Sequence, residues 1–534
     1  MKTKIILQSF ILSLILLGSG CTTGFDALNE NPNDRTDEQY DFSRALVGSQ
    51  IRKGATYEGA DAHQRVKALG IDVFVQYVGG NSTARVWTPN DDWQSLYWKN
   101  HFNNQLAVLN TVIRDADLYE GRENTKAIAR IWRVYIQTMF TDYFGPAPFS
   151  LDPDDPNPDY MKLDELYPVL FTELDEAVKG FDDSKPTLVR EDPVYKGDIL
   201  KWKRFANTLR LRMAIKLSEI APDLCKTQAL AAINADGGIM QQGDDAKIGS
   251  SAGWGNQYPY YMYQVGWSDR QVMMVSMEKT LTNIGGMDYS GTATTAPAKV
   301  DPRGSRYFDP SPTDNLWKGL KAGIRVEVGD MRSKVSAMSV IYVIPNDTKK
   351  TDIMLYVEAC FLAAEATERF SVNTGKTALE WYEAGVRESF KTWGLSDDNA
   401  TAYLTSENRN SWGTSAKYNK SQGAGDTNLE KIITQKYIAF YPDLSLQIWN
   451  DKRRLNLPAL EIPEFRDSGA GTYPADDDIH NAKNYIQRTV YPQSEKLINE
   501  KKYNAGVAQL RDGDKTSSPL WWASKQANYC TSAN

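Results

Sequence analysis

Thr125-Lys126-Ala127-Ile128-Ala129-Arg130-Ile131-Trp132-Arg133-Val134-Tyr135-Ile136-Gln137-Thr138-Met139-Phe140-Thr141-Asp142-Tyr143-Phe144-Gly145-Pro146 is the stretch whose reading decides the fold. Ile128, Ile131, Trp132, Tyr135, Met139, Phe140 and Tyr143 recur at three- and four-residue steps, the spacing that lines one face of an α-helix. Gly145-Pro146 stops the helix, because glycine takes the left-handed closing conformation and proline cannot continue the turn. Outward from there the same period returns. A second helix is predicted over 163–181, with Leu166, Leu170, Leu174, Ala177 and Val178 on one stripe and Asp164 and Glu165 in the first turn, where the helix dipole favours negative charge. Asp198 is placed to cap a third, with Leu200, Phe205, Leu209, Met213 and Leu217 on its buried side, and a fourth over 228–235 is closed by Gly237-Gly238. These four read as two antiparallel pairs.

The pairing returns towards the C-terminus. A helix over 352–370, carrying Leu355, Phe361, Leu362 and Ala366, is followed by a turn at Asn373-Thr374-Gly375 and a partner over 377–393. Further helical stretches are expected over 429–440 and 495–510. Short-linked helix pairs repeated along a chain predict a mainly α protein with a tetratricopeptide-like scaffold. From about 239 to 351 the pattern changes to an irregular, loop-rich insertion, in which 324–328 and 339–344 have β content and predict a minor hairpin. So long an irregular stretch inside a helical protein is expected to carry function.

Composition excludes several classes. With 61 Lys+Arg against 68 Asp+Glu the net charge is −7, and no basic cluster offers a nucleic acid its electrostatic footprint. Three histidines and four cysteines, with no Cys-x-x-Cys and no His pair at ligand spacing, argue against a transition-metal site and against a disulfide framework. Cys225 and Cys360 fall in helical patterns and read as small core residues. The aromatic load is heavy, with 14 Trp, 28 Tyr and 17 Phe.

The first residues are an address. Met1-Lys2-Thr3-Lys4 is a basic start, the run from Ile5 to Leu17 is apolar, and small residues follow, so 1–20 reads as a signal peptide. Gly18-Ser19-Gly20-Cys21 resembles a bacterial lipobox, with Leu17 one position upstream of its usual place. Cys21 is then the lipid-attachment residue and 21–37, rich in Asn, Asp and Thr, a lipid-anchored tether. The rest, 38–534, reads as a single domain.

Several motifs together resemble the SusD/RagB family of Bacteroidetes outer-membrane lipoproteins. They are Asn31-Pro32-Asn33, the segment from Asp142 to Phe149, the segment from Gly197 to Arg212, Asp301-Pro302-Arg303, the helix holding Glu358 and Glu365, Gln435-Lys436-Tyr437, the segment from Trp449 to Arg454, and Arg488 with Tyr491-Pro492. The resemblance implies a helical scaffold bearing an irregular ligand face. It also implies a surface protein that caps a SusC-like TonB-dependent outer-membrane transporter and captures oligosaccharides, or in some members peptides. These are scaffold motifs: Trp202, Arg210 and Arg212 are expected to tie helices together, and Asp451, Arg453 and Arg454 to form internal ion pairs.

No constellation supports an enzyme. Asp91-Asp92, Asp154-Asp155 and Asp476-Asp477-Asp478 are sequence neighbours, which says nothing of the two-sided geometry glycoside hydrolysis needs. Neither a nucleophile elbow nor a phosphate-binding loop is present. No cofactor is expected; acidic loops leave a Ca²⁺ ion open as a ligand, without EF-hand spacing. Binding is expected instead on loop aromatics, because flat rings suit the C–H faces of sugars and nearby amides suit their hydroxyls. The candidates are Trp87 and Trp93, the cluster Trp254, Tyr258, Tyr260, Tyr261, Tyr263 and Trp267, and Trp317. A helix starting near Asp91 would bury at least one of Trp93, Tyr97 and Trp98, so core and ligand readings both stand there. The aromatic richness tilts towards a glycan; a peptide, or a transporter lid with little ligand affinity of its own, is the alternative.

Overall fold

The Glu123–Phe144 helix is buried on every side, not on one face alone. Several of its polar residues are paired inside the protein: Arg133 donates to Glu173 at 2.6 Å, and Asp142 accepts from Lys216 at 2.6 and 2.5 Å and from Asn450 at 2.7 Å. Gly145 then turns the chain at φ +94°, where an added Cβ would meet Leu520 at 2.9 Å. The structure is a computed structural model and describes residues 42–79, 90–249, 258–267, 271–322, 333–343, 349–462 and 485–530. The signal peptide, Cys21 and the tether lie outside the described residues.

Helix pairs make the scaffold. Glu123–Phe144 packs on Leu163–Lys179, Ile199–Lys216 on Pro222–Asn234, and Tyr356–Phe370 on Ala378–Thr392. Asp198 caps as expected, its carboxylate accepting from the Lys201 amide at 3.0 Å. Leu200 does not join the core; it stands exposed in the first turn beside Gly237. The fourth helix starts earlier than expected, at Pro222, because proline fits the first helical position. Pairs are bolted by buried ions: Arg212 grips Glu358 with two bonds of 2.6 and 2.7 Å, and Arg454 grips Glu365 with two of 2.6 Å while bonding Asp451 at 2.7 Å. Arg453 corrects the expectation of an ion pair: it donates to the carbonyls of Asp142 and Gln487, both at 2.7 Å, with its guanidinium over Trp449. One apolar core cluster runs from Val47 to Cys530.

Among the described residues the strands form three small antiparallel sheets. The largest has the order β1-β5-β7-β6, from Val78–Gly79, Val272–Met273, Ala337–Met338 and Phe308–Asp309. β2 (Ala147–Pro148) pairs with β3 (Tyr160–Met161), and β4 (Ala246–Gly249) with β8 (Lys350–Met354). Residues 324–328 and Ile344 lie outside the described residues, and Val340–Tyr342 is a 3-10 turn. The helix expected from Asp352 begins at Tyr356, because Thr351 and Ile353 alternate inward on β8 and Leu355 remains extended. The stretch 495–510 divides into Gln493–Ile498 and Glu500–Val507. The insertion is less irregular than its composition suggests, holding helices Pro259–Trp267 and Val275–Leu281.

Candidate binding site

Pro259 opens a helix whose Tyr260 and Tyr263, three residues apart, face inward onto the π-helical segment His63–Ile71. Tyr260 donates to Asp72 and accepts from Lys67 Nζ at 2.7 Å, and Lys67 also bonds Asp72 at 2.8 Å and the Pro442 carbonyl at 2.7 Å. Tyr263 meets His63, and Tyr258 donates to Asp443 Oδ1 at 2.7 Å. Burial pushes all three phenols well above their ordinary pKa. Trp317 packs against Tyr289 and Phe308 with ring centroids 5.5 and 6.4 Å away. Tyr258, Tyr260, Tyr263 and Trp317 are only 2, 1, 5 and 3% exposed. These four rings are corrections to the expected ligand face: their hydroxyls or ring faces are already engaged inside the protein, so none stands free for stacking.

Tyr261 is half-buried, and Trp267 ends the helix with its side chain outside the described residues. Trp87 and Trp254 lie outside them altogether. Asn90 caps a helix over Asp91–Lys99, its side chain accepting from the Trp93 amide at 3.2 Å. Tyr97 and Trp98 enter the core against Phe140 and Phe144, which leaves Trp93 half-buried beside a crevice of about 20 Å³. Gln94 lines the same crevice, buried, with neither amide atom hydrogen-bonded.

A larger cavity, about 270 Å³, opens where β8 meets the ends of the Ala378–Thr392 and Asn428–Ala439 helices, lined by Lys247, Lys349, Lys350, Asp352, Trp393 and Tyr441 among others. Lys349 lies over three rings, its Nζ at 4.8, 5.4 and 5.5 Å from the centroids of Tyr342, Tyr258 and Trp393. Burial raises the Asp352 carboxyl to about 6, with Asp443 and Asp245 adding repulsion and Lys247 opposing it. Asp443 is committed elsewhere, accepting from Tyr258 and from the Asp352 amide at 3.1 Å. A third hollow, about 630 Å³, lies along the Glu123–Phe144 and Leu163–Lys179 helices, where Arg122 covers Tyr119 among charges of both signs. Sequence reading missed Lys349 and Trp393. The one signal for Trp393 was its place at a helix end before Gly394, and nothing in the sequence joins it to Tyr258. Among the described residues no group of three or more His, Cys, Asp or Glu could hold a metal ion, and no helix is long and apolar enough to cross a membrane.

The chain joins a paired-helix scaffold to an inserted, sheet-braced region, a fold it shares with solved SusD homologs. The family model described as "Susd and RagB outer membrane lipoprotein" matches residues 27–523, and the chain belongs to the SusD/RagB family. A SusD homolog from Parabacteroides distasonis is similar at 39% identity and a TM-score of 0.84, covering 92% of this chain and 100% of that one. A chitin-binding SusD homolog from Flavobacterium johnsoniae is similar at 25% identity and 0.74, covering 90% and 98%. A SusD homolog from Bacteroides vulgatus shares the fold at 24% and 0.75, covering 91% and 98%. No curated protein matches the chain.

Proposed function

We propose that this chain is a cell-surface lipoprotein, anchored to the outer membrane through Cys21, that captures oligosaccharide or polysaccharide fragments and delivers them to a SusC-like TonB-dependent transporter. The observation that carries the reading is the family match over 27–523, joined by the chitin-binding homolog of similar fold. The site chemistry agrees with binding rather than catalysis: among the described residues lining the 270 Å³ cavity Asp352 is the one carboxylate, whereas glycoside hydrolysis needs two facing carboxyl groups. Capture and hand-over need no cofactor, and a calcium ion has no role in this reading.

Calorimetry of the protein against neutral and acidic oligosaccharides and against peptide pools tests the ligand class. Saturable glycan binding without product formation is expected, and binding confined to peptides would replace the glycan reading with peptide capture. A mild-detergent pull-down should return a TonB-dependent barrel, and a protein that repeatedly purifies alone would count against delivery.

A further inference from the structure

The cavity beside Trp393 carries a charge excess of the sign opposite to that of the whole chain. Its charged lining residues are Lys247, Lys349, Lys350 and Asp352, in a protein of net charge −7. Lys247 is neutralised by Asp245 at 3.0 Å and Asp352 at 3.6 Å. Among the described residues Lys349 and Lys350 form no salt bridge, and the Lys349 ammonium acts on Asp352 only at longer range, opposing the rise of its carboxyl. Lys350 is exposed on β8, while Lys349 is held against Tyr342, Tyr258 and Trp393. A long ammonium side chain ordinarily keeps its rotamer freedom in water; here three rings fix it at the cavity, so an anion placed there meets a charge already positioned. The hollow, at about 270 Å³, is near the lower end of ligand pockets, which run roughly 300 to 1,000 Å³, so it admits one residue or branch of a longer chain.

We infer that this cavity is a subsite for an anionic sugar residue, one bearing a carboxylate or a sulfate, with Lys349 and Lys350 as its counter-charges and Trp393 as an apolar wall. The inference rests on the glycan reading and narrows its ligand class. Net negative charge repels acidic glycans from the protein at large, so attraction must come from a local site such as this one.

The test is calorimetry on the full-length lipoprotein in detergent at ~150 mM salt, where exposed charges more than about 8 Å apart are largely screened. The probes are an oligogalacturonide for carboxylate, a sulfated dextran oligosaccharide for sulfate, and an N-acetylchitooligosaccharide as the neutral arm. At least one acidic probe should bind tenfold or more tightly than the neutral one, and which one does so identifies the anionic group. Lys349→Gln with Lys350→Gln should weaken that binding at least tenfold and so abolish the preference over the neutral probe, and Lys349→Arg should retain it. Acidic binding indifferent to the double variant, or neutral binding as tight as acidic, would overturn the subsite and leave glycan capture standing. Failure of all three probes together with binding of peptides would overturn both.

Discussion

At Tyr258 the same ring reads as ligand platform in sequence and as structural donor in the fold, because its hydroxyl ends on Asp443 in a buried pocket. Tyr258→Phe removes that donor and leaves the carboxylate short of a partner, so it should cost about 1–3 kcal/mol in denaturant melts while leaving glycan affinity unchanged. A variant with lost affinity and unchanged stability would return Tyr258 to the ligand face. Asp352 gives a pH signature. Its carboxyl titrates near 6, above the ~3.9 of an unfolded aspartate. The folded chain therefore holds the extra proton between those values, and this residue's contribution to stability increases as pH falls through that window. Asp352→Asn should be the more stable form relative to wild type at about pH 7, with the difference shrinking towards pH 5 as the native carboxyl becomes protonated. A difference independent of pH would show that the carboxyl titrates normally.

Among the elements, the pair Tyr356–Phe370 and Ala378–Thr392 shows how closely the scaffold helices approach. Thr377 and Glu380 form a reciprocal capping box at the second helix's start, and Gly385 lies where an added Cβ would meet the Phe361 ring at 2.7 Å. A glycine inside a helix normally costs ~1 kcal/mol relative to alanine. Here Gly385→Ala should destabilise instead, by about 1–3 kcal/mol through overpacking against Phe361. A thermal melt showing a gain would mean the interface yields. These elements were legible in sequence because apolar side chains repeat at helical spacing and their caps are local. β8 was not. Lys350–Met354 runs into the helix at Tyr356, and its pairing with β4 joins positions a hundred residues apart, Lys247 with Asp352, for which spacing within one segment carries no signal.

For the whole molecule, the proposed anchoring rests on Cys21. Cys21→Ala should release the protein from the outer-membrane fraction in cells lacking the transporter, since stable attachment takes more than one acyl chain and the described residues offer no membrane-crossing helix. Retention of the variant in that fraction would refute lipid anchoring as the tether. The helical class, the order of the helix pairs and the family were legible in the chain read on its own, because capping, periodicity and ordered motifs are written along it. Which rings are core and which border a cavity emerged only once the chain was folded. Tyr258 and Tyr260 take partners 185 and 188 residues away. Lys349 finds its cage only when Tyr258, Tyr342 and Trp393 converge, since burial and charge compensation depend on what folds over a residue and not on the residues beside it.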